Sequence, residues 1–154
     1  MQRAFHPDLF ATKSAEEQAI SAGNSATINK AYQTLVRPMS RVKYLMKLLG
    51  STAFEEHGSD DRSPAPPALL MKVMETRESL EHCSSMKEAE DIMAETRAAI
   101  DACLREMDGA LKGGGGKDQL QEAAVRLRYL CRIEEEARSV IHRFEDERAK
   151  PGLA

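Results

Sequence analysis

The sequence predicts an all-α protein: a short helical N-terminal part followed by an antiparallel three-helix bundle. Three observations carry this. Apolar residues recur at helical spacing along nearly the whole chain, and no alternating β-branched run occurs. Ser-x-x-Glu start signals and Pro or Gly stop signals divide that pattern into segments of helix length. The chain has no Trp, few aromatics and eight Met, so its core is built from Leu, Ile, Val, Ala and Met, which suits packed helices better than a β-sandwich.

Residues 1–5 read as the end of a helix that stops at His6, because Pro7 disfavours the α region for the residue before it. Ser14-Ala15-Glu16-Glu17 reads as a capping box that opens a helix running to about Val36. Gly23 weakens its middle by roughly 1 kcal/mol, and Asn24 beside it adds to this. Ala19, Ala22, Ala26, Asn29, Ala31 and Tyr32 mark the positions expected to pack closely on other helices. Arg37-Pro38 ends this helix, and Pro38 can open the next. Residues 39–49 form a short amphipathic helix with Val42, Leu45, Met46 and Leu49 on one side, stopped by Gly50.

Residues 51–66 are polar, aperiodic and punctuated by Gly and Pro; they are read as a linker between a domain at 1–50 and another at 67–148. Pro67 sits in the first turn of a helix that runs to about Cys83. Ser85-Met86-Lys87-Glu88 is a second capping box, opening a helix to about Leu111. Gly113–Gly116 must turn. Asp118-Gln119-Leu120-Gln121 then starts a helix to about Arg148, and the tail Lys150–Ala154 is expected to fray. Long helices with short connections read as the antiparallel bundle.

At 154 residues the chain allows one medium domain or two small ones. Lys and Arg number 22, Asp and Glu 25, and the net charge is −3, so there is no electrostatic reason to expect nucleic acid or an anionic membrane as partner. No apolar run approaches the ~20 residues of a membrane span. Met1-Gln2-Arg3-Ala4-Phe5 is not a signal peptide, because it lacks an apolar core region. Cys83, Cys103 and Cys131 are far apart and form no C-x-x-C pair, so they read as small hydrophobes in a reducing compartment. No metal site and no cofactor are expected. His57 falls in the linker, His82 and Cys83 are adjacent and diverge by about 100° on a helix, and His142 is read as lacking an acidic or thiol partner one turn away. Glu134-Glu135-Glu136 reads as a solvated face. Gly113–Gly116 is not followed by Lys-Ser/Thr and is no phosphate cradle. No nucleophile–base pair is visible, and the chain is not read as an enzyme.

One motif stands out. His6-Pro7-Asp8 is followed by Asn29-Lys30-Ala31-Tyr32, Leu35, Pro38, Arg41 and Tyr44-Leu45. This stretch resembles a J-domain, the module with which co-chaperones activate DnaK-type (heat shock protein 70 family) chaperones. The finer resemblance is to the HscB/Jac-type J-proteins. It is carried by Phe5-His6-Pro7-Asp8-Leu9-Phe10, by residues 25–35 (SATINKAYQTL), by residues 37–45 (RPMSRVKYL), by residues 69–75 (LLMKVME) and by Leu127-Arg128-Tyr129-Leu130. These stretches run in order through nearly the whole chain, and general J-domains lack the C-terminal bundle.

The resemblance implies a co-chaperone of iron–sulfur cluster biogenesis in the mitochondrial matrix, with two protein partners: a DnaK-type chaperone and the cluster scaffold protein. It implies that His6, Pro7 and Asp8, with Arg3, engage the chaperone, Asp8 pairing with an arginine there. It implies that Leu70, Met74 and Tyr129, with Leu69, Lys72, Glu75 and Glu78 around them, hold the scaffold; the family more often has Leu where Met74 stands. Periodicity bears on this independently. At 100° per residue Leu69, Val73 and Leu80 cluster within about 40°, while Leu70 and Met74 lie roughly 100–140° away. This second apolar stripe could fill a crevice under the first domain or bind a partner; the resemblance favours the partner. Tyr129 lies off the face shared by Leu120, Ala124, Leu127, Cys131 and Ile141, as suits an interface.

The chain departs from the family at its start. The first J-domain helix and most of the second are missing, which leaves the helix at 14–36 short of apolar cover. The chain is therefore expected to be a fragment whose upstream exon, with a transit peptide, is absent. Two other readings use the same residues: a scaffold-binding protein without J activity, and a J-protein for another client.

Overall fold

The computed structural model describes residues 12–51 and 65–149. Among them are five helices and no strand: α1 (Ala15–Val36), α2 (Pro38–Leu48), α3 (Pro67–Glu81), α4 (Met86–Lys112) and α5 (Lys117–Ala149). The expected helix end and bend at residues 1–8, residues 52–64 of the expected linker, and the tail from Lys150 lie outside the described residues. The chain divides into two compact units, Met1–Leu45 and Met46–Ala154, and the division falls inside α2.

In the first unit, Ser14 and Glu17 close the capping box expected of them. The Glu17 amide donates to Ser14 Oγ at 3.3 Å, and the Ser14 amide donates to Glu17 Oε2 at 3.0 Å. The packed face of α1 differs from expectation. Ser21, Ser25 and Ile28, at i, i+4 and i+7, together with Thr34, are its buried or half-buried positions, whereas Ala19, Ala22, Ala26, Asn29, Ala31 and Tyr32 are exposed. Hydrophobic spacing pointed to the wrong face, because two of the covered positions are serines. Ile20, Leu35 and Val36 are also exposed. α1 ends at Arg37, whose extended backbone (ψ 123°) is the conformation a following proline demands. α1 has no basic residue in its own last turn, and Arg41 of α2 donates to the Leu35 carbonyl at 3.1 Å instead.

Val42 and Met46 of α2, one turn apart, are buried; Leu45 is half-buried and Leu49 is exposed. The helix closes in a Schellman motif: Ser51 N–H donates to Met46 O at 2.9 Å and Gly50 N–H to Lys47 O at 3.0 Å. Gly50 has φ +68°, a conformation that only glycine adopts without penalty.

The second unit holds the bundle. α3 begins with Pro67 at its first position and stops at Glu81, two residues before the expected Cys83. The stop is set by the next helix start. Ser85 Oγ accepts from the Glu88 amide at 3.3 Å, but the Glu88 carboxylate reaches past Ser85 to the Ser84 amide at 3.0 Å and the Ser84 hydroxyl at 3.1 Å. Ser84, first through its backbone and then through its hydroxyl, holds the Glu88 carboxyl below the usual carboxylate range. The connection from α4 to α5 turns on Gly114, at φ +70°, while Gly115 N–H donates back to Ala110 O at 2.6 Å.

α4 and α5 run antiparallel, as two ion pairs prove. Arg97 of α4 meets Glu134 of α5 at 3.0 Å, and Glu106 further along α4 meets Arg126 earlier on α5 at 2.7 Å. Between α4 and α5, the Cys103 thiol donates to the Ala123 carbonyl at 3.2 Å. The core residues of α4 are Ala89, Thr96, Ile100, Cys103 and Met107. α5 contributes Leu120, Ala123, Ala124 and Leu127 in its first half, then Ile133, Ala137 and Ile141 in its second. These two sets do not share one face: at 100° per residue the buried stripe swings by about 100° along α5. The second set meets α3, where Val73, Leu80, Ile133 and Ala137 form one buried cluster.

Leu127 is fully buried. L127A should destabilise the protein by about 2–5 kcal/mol, read as a lowered urea midpoint with an unchanged m-value.

Candidate functional site

α3 sorts the expected scaffold-binding residues onto different sides. Val73 and Leu80 face inward. Leu69 is half-buried and packs against their cluster. Leu70 and Met74 point out of the bundle, at 39% and 69% exposure. Met71, which sequence reasoning missed, is 63% exposed beside them. Its signal lay in the spacing: three residues from Met74, it is a surface neighbour on any helix. Glu78, one turn beyond Met74, extends this outward stripe and is exposed. Lys72 and Glu75 lie on the opposite flank, where with Leu69 they line a groove of about 540 Å³ between α3 and α4.

Tyr129 needs a correction. It stands off the Leu120–Ala124–Leu127 face, as periodicity indicated, but it does not leave the core: it is half-buried against the Val73, Leu80, Ile133 and Ala137 cluster. The swing of the buried stripe along α5 brings it there. Its ring also lies under two guanidinium groups, the buried Arg128 at 5.0 Å and Arg132 at 6.0 Å from the centroid, which the negative face of an aromatic ring attracts.

An ion pair fixes the level of the site. Arg77 of α3 forks onto Glu136 of α5, Nε at 2.9 Å and NH2 at 2.5 Å. α3 and α5 run in the same direction, since both are antiparallel to α4. Seven residues back along each helix, about 10 Å, stand Leu70 and Tyr129. The structure thus brings Leu70, Met74 and Tyr129 to one side of the α3–α5 seam, below the Arg77–Glu136 clip. Glu134 meanwhile accepts from Arg97 and Arg138. The acidic run Glu134-Glu135-Glu136, expected to be a solvated face, is a tie between helices at its first and last members, while Glu135 is exposed.

The remaining candidates among the described residues stand apart from this site. His82 Nδ1 lies 2.8 Å from the Glu78 carbonyl. His142, read from the sequence as lacking an acidic partner, has Asp146 one turn on at 3.6 Å and Glu145 at 3.7 Å, all exposed. Among the described residues no group of three or more His, Cys, Asp and Glu could hold a metal. No described helix is long and apolar enough to cross a membrane. Burial pushes all three thiols up, Cys131 to about 11 with Glu134 and Glu135 adding to the effect. Protonated thiols are poor nucleophiles and poor metal ligands. His6, Pro7, Asp8 and Arg3 lie outside the described residues.

Residues 65–138, which hold the outward stripe, Tyr129 and the Arg77–Glu136 clip, match the family described as the HSCB C-terminal oligomerisation domain. Over its length the chain is 33% identical to the co-chaperone protein HscB homolog of Photobacterium profundum, covering 95% of this chain and 82% of that one. The chain belongs to the HscB co-chaperone family. The HscB homolog of Vibrio cholerae is 31% identical, over 96% of this chain and 83% of its own length. HscB of Proteus mirabilis is 30% identical, over 95% and 84%. Solved HscB structures agree with the all-α fold. The Vibrio cholerae chaperone superposes with a TM-score of 0.71 at 28% identity, over 93% of this chain and 83% of that one. The human co-chaperone superposes with a TM-score of 0.76 at 29% identity, over 90% and 68%.

Burial separates the two kinds of residue in this HscB-family site. The double substitution L70A/M74A should leave thermal stability within about 0.5 kcal/mol of the parent, as for exposed positions. Y129A should cost about 1–3 kcal/mol, because it opens the α3–α5 cluster. Thermal melts of the three proteins make the comparison.

Proposed function

We propose that this chain grips the iron–sulfur cluster scaffold protein with the outward face of α3 and α5 and presents it to a DnaK-type chaperone, whose ATP hydrolysis the His6-Pro7-Asp8 bend stimulates. The observation that carries the scaffold half is the exposure of Leu70 and Met74 beside Tyr129. Large apolar side chains grouped on the surface of a small domain mark a contact surface. Leu70, Met74 and Tyr129 are its anchors. Lys72, Glu75 and Glu78 surround them with charge that selects orientation more than it adds affinity, and Leu69 supports the stripe from beneath. Met71 joins the anchors. The flexible thioethers of Met71 and Met74 can adapt to the contour of the partner.

The chaperone half rests on the J-domain resemblance of the first unit. His6, Pro7 and Asp8 are the activating motif. Asp8 offers a carboxylate to an arginine of the chaperone, and Arg3, five residues earlier in the sequence, adds a positive charge. The chain supplies no catalytic group of its own; nucleotide is hydrolysed on the partner. The division of labour assigns residues 1–50 to the chaperone and 67–148 to the scaffold, joined by 51–66. The compartment that fits the resemblance is the mitochondrial matrix, and three free cysteines suit its reducing interior.

Immobilised scaffold protein should capture the chain, and L70A/M74A/Y129A should bind about thirtyfold more weakly or worse, as expected on removing interface anchors; full affinity in that variant rejects the assigned site. In a steady-state assay with the DnaK-type chaperone, D8A should abolish stimulation of ATP turnover while scaffold capture persists. Wild-type chain that captures the scaffold without raising turnover identifies a scaffold binder without J activity.

A further inference from the structure

The sulfur atoms of this protein are unevenly placed. Of the seven described methionines, Met46 and Met107 are buried and Met39, Met86 and Met93 are half-buried. Met71 and Met74 alone are exposed, and both belong to the outward stripe of α3. The cysteines compete poorly for an oxidant: Cys103 is buried, Cys83 and Cys131 are half-buried, and none is poised as a thiolate. A thioether, unlike a thiol, needs no deprotonation to attack a peroxide; it needs only access. The most accessible sulfur in the described residues is therefore concentrated in the apolar patch.

We propose that Met71 and Met74 form a reversible oxidation site, at which a hydroperoxide converts the contact face of α3 from apolar to polar and so releases the bound partner. The inference rests on the scaffold-binding reading above. A lone pair of the thioether sulfur attacks one peroxide oxygen and forms the S–O bond. The O–O bond breaks, and the departing oxygen takes up the proton of the transferred hydroxyl and leaves as water from hydrogen peroxide, or as the alcohol from an organic hydroperoxide. The sulfur loses two electrons and the peroxide gains them. The reverse step draws two electrons from a dithiol of a methionine sulfoxide reductase, which closes to a disulfide as the oxygen leaves as water.

The geometry makes the change consequential for binding and neutral for folding. Both side chains point away from the Val73–Leu80–Ile133–Ala137 cluster, so a sulfoxide oxygen meets water in the free protein. In a complex the same oxygen is buried in an apolar contact without a donor. That penalty corresponds to roughly tenfold in affinity for each sulfoxide, or about a hundredfold for the pair.

The test treats the full chain with dilute hydrogen peroxide, maps sulfoxides by peptide mass spectrometry, and measures scaffold binding before and after. Sulfoxides at Met71 and Met74, an affinity loss of about a hundredfold, an unchanged thermal melt, and recovery after treatment with methionine sulfoxide reductases and dithiothreitol are expected. M71L/M74L, a volume-conserving exchange, is compared with its own untreated affinity, whatever that is, and peroxide should leave that affinity unchanged. Three results overturn the inference alone: wild type that carries both sulfoxides and binds as before, peroxide treatment that spares both thioethers, or M71L/M74L losing affinity as wild type does. Untreated protein that fails to bind the scaffold overturns the functional reading as well.

Discussion

The close antiparallel seat of α5 on α4 is the contact on which the second unit depends. It is built from small side chains as much as large ones. Ala123, Ala124 and Ala137 are buried on α5, and Ala89 on α4. Alanine lets two backbones approach until the Cys103 thiol reaches a main-chain carbonyl of the opposite helix. Larger residues then fill the remaining volume, with Leu127 fully enclosed. α3 is the lesser partner: it meets α5 along the second half of that helix and is fastened by one bidentate ion pair. An exposed pair of this kind stabilises by about 1 kcal/mol at most. Its contribution is to orientation, since a fork holds α3 at one rotation about its axis. That rotation decides whether Leu70 and Met74 face solvent or the groove.

Helix boundaries were legible where a single residue type has no alternative. Pro67 opens α3, Ser14 and Glu17 cap α1, and Gly50 and Gly114 adopt the left-handed backbone that ends their helices. All of these are local, decided within four or five residues. Facial assignments were harder, because they depend on partners distant in sequence. On α1 the covered positions are Ser21 and Ser25, which a hydrophobicity pattern cannot find. On α5 the buried stripe changes face midway, because the first half answers to α4 and the second to both α4 and α3, so a fixed-period reading put Tyr129 outside the core.

The candidate site shows the same limit from the other direction. Periodicity could say that α3 carries two apolar stripes, but an amphipathic pattern does not say which stripe is covered. The resemblance to a known family chose Leu70 and Met74 as exposed, and the fold agrees with that choice. Met71 escaped notice because at 100° per residue it falls beyond the second stripe, on the far side from the core. The charged neighbours divide as well: Glu78 continues the outward stripe, whereas Lys72 and Glu75 border the groove on the other flank. A partner that touched every one of these residues would have to wrap around the exposed half of α3.

The lysine at the head of α5 has a consequence for the chain's architecture. A cation there is disfavoured by the aligned peptide dipoles, yet Lys117 Nζ is turned outward to the Gly50 carbonyl, 2.8 Å away. This latch holds Gly50 at the end of the bundle where α5 begins, and by the Arg77–Glu136 register α3 sets off about nine residues, ~14 Å, further along. The described residues that flank 52–64 are therefore set apart by a fraction of the bundle's length, not the whole of it. Closing such a connection costs little more when residues are added, so evolution is free to lengthen, shorten or decorate it without disturbing the helices on either side.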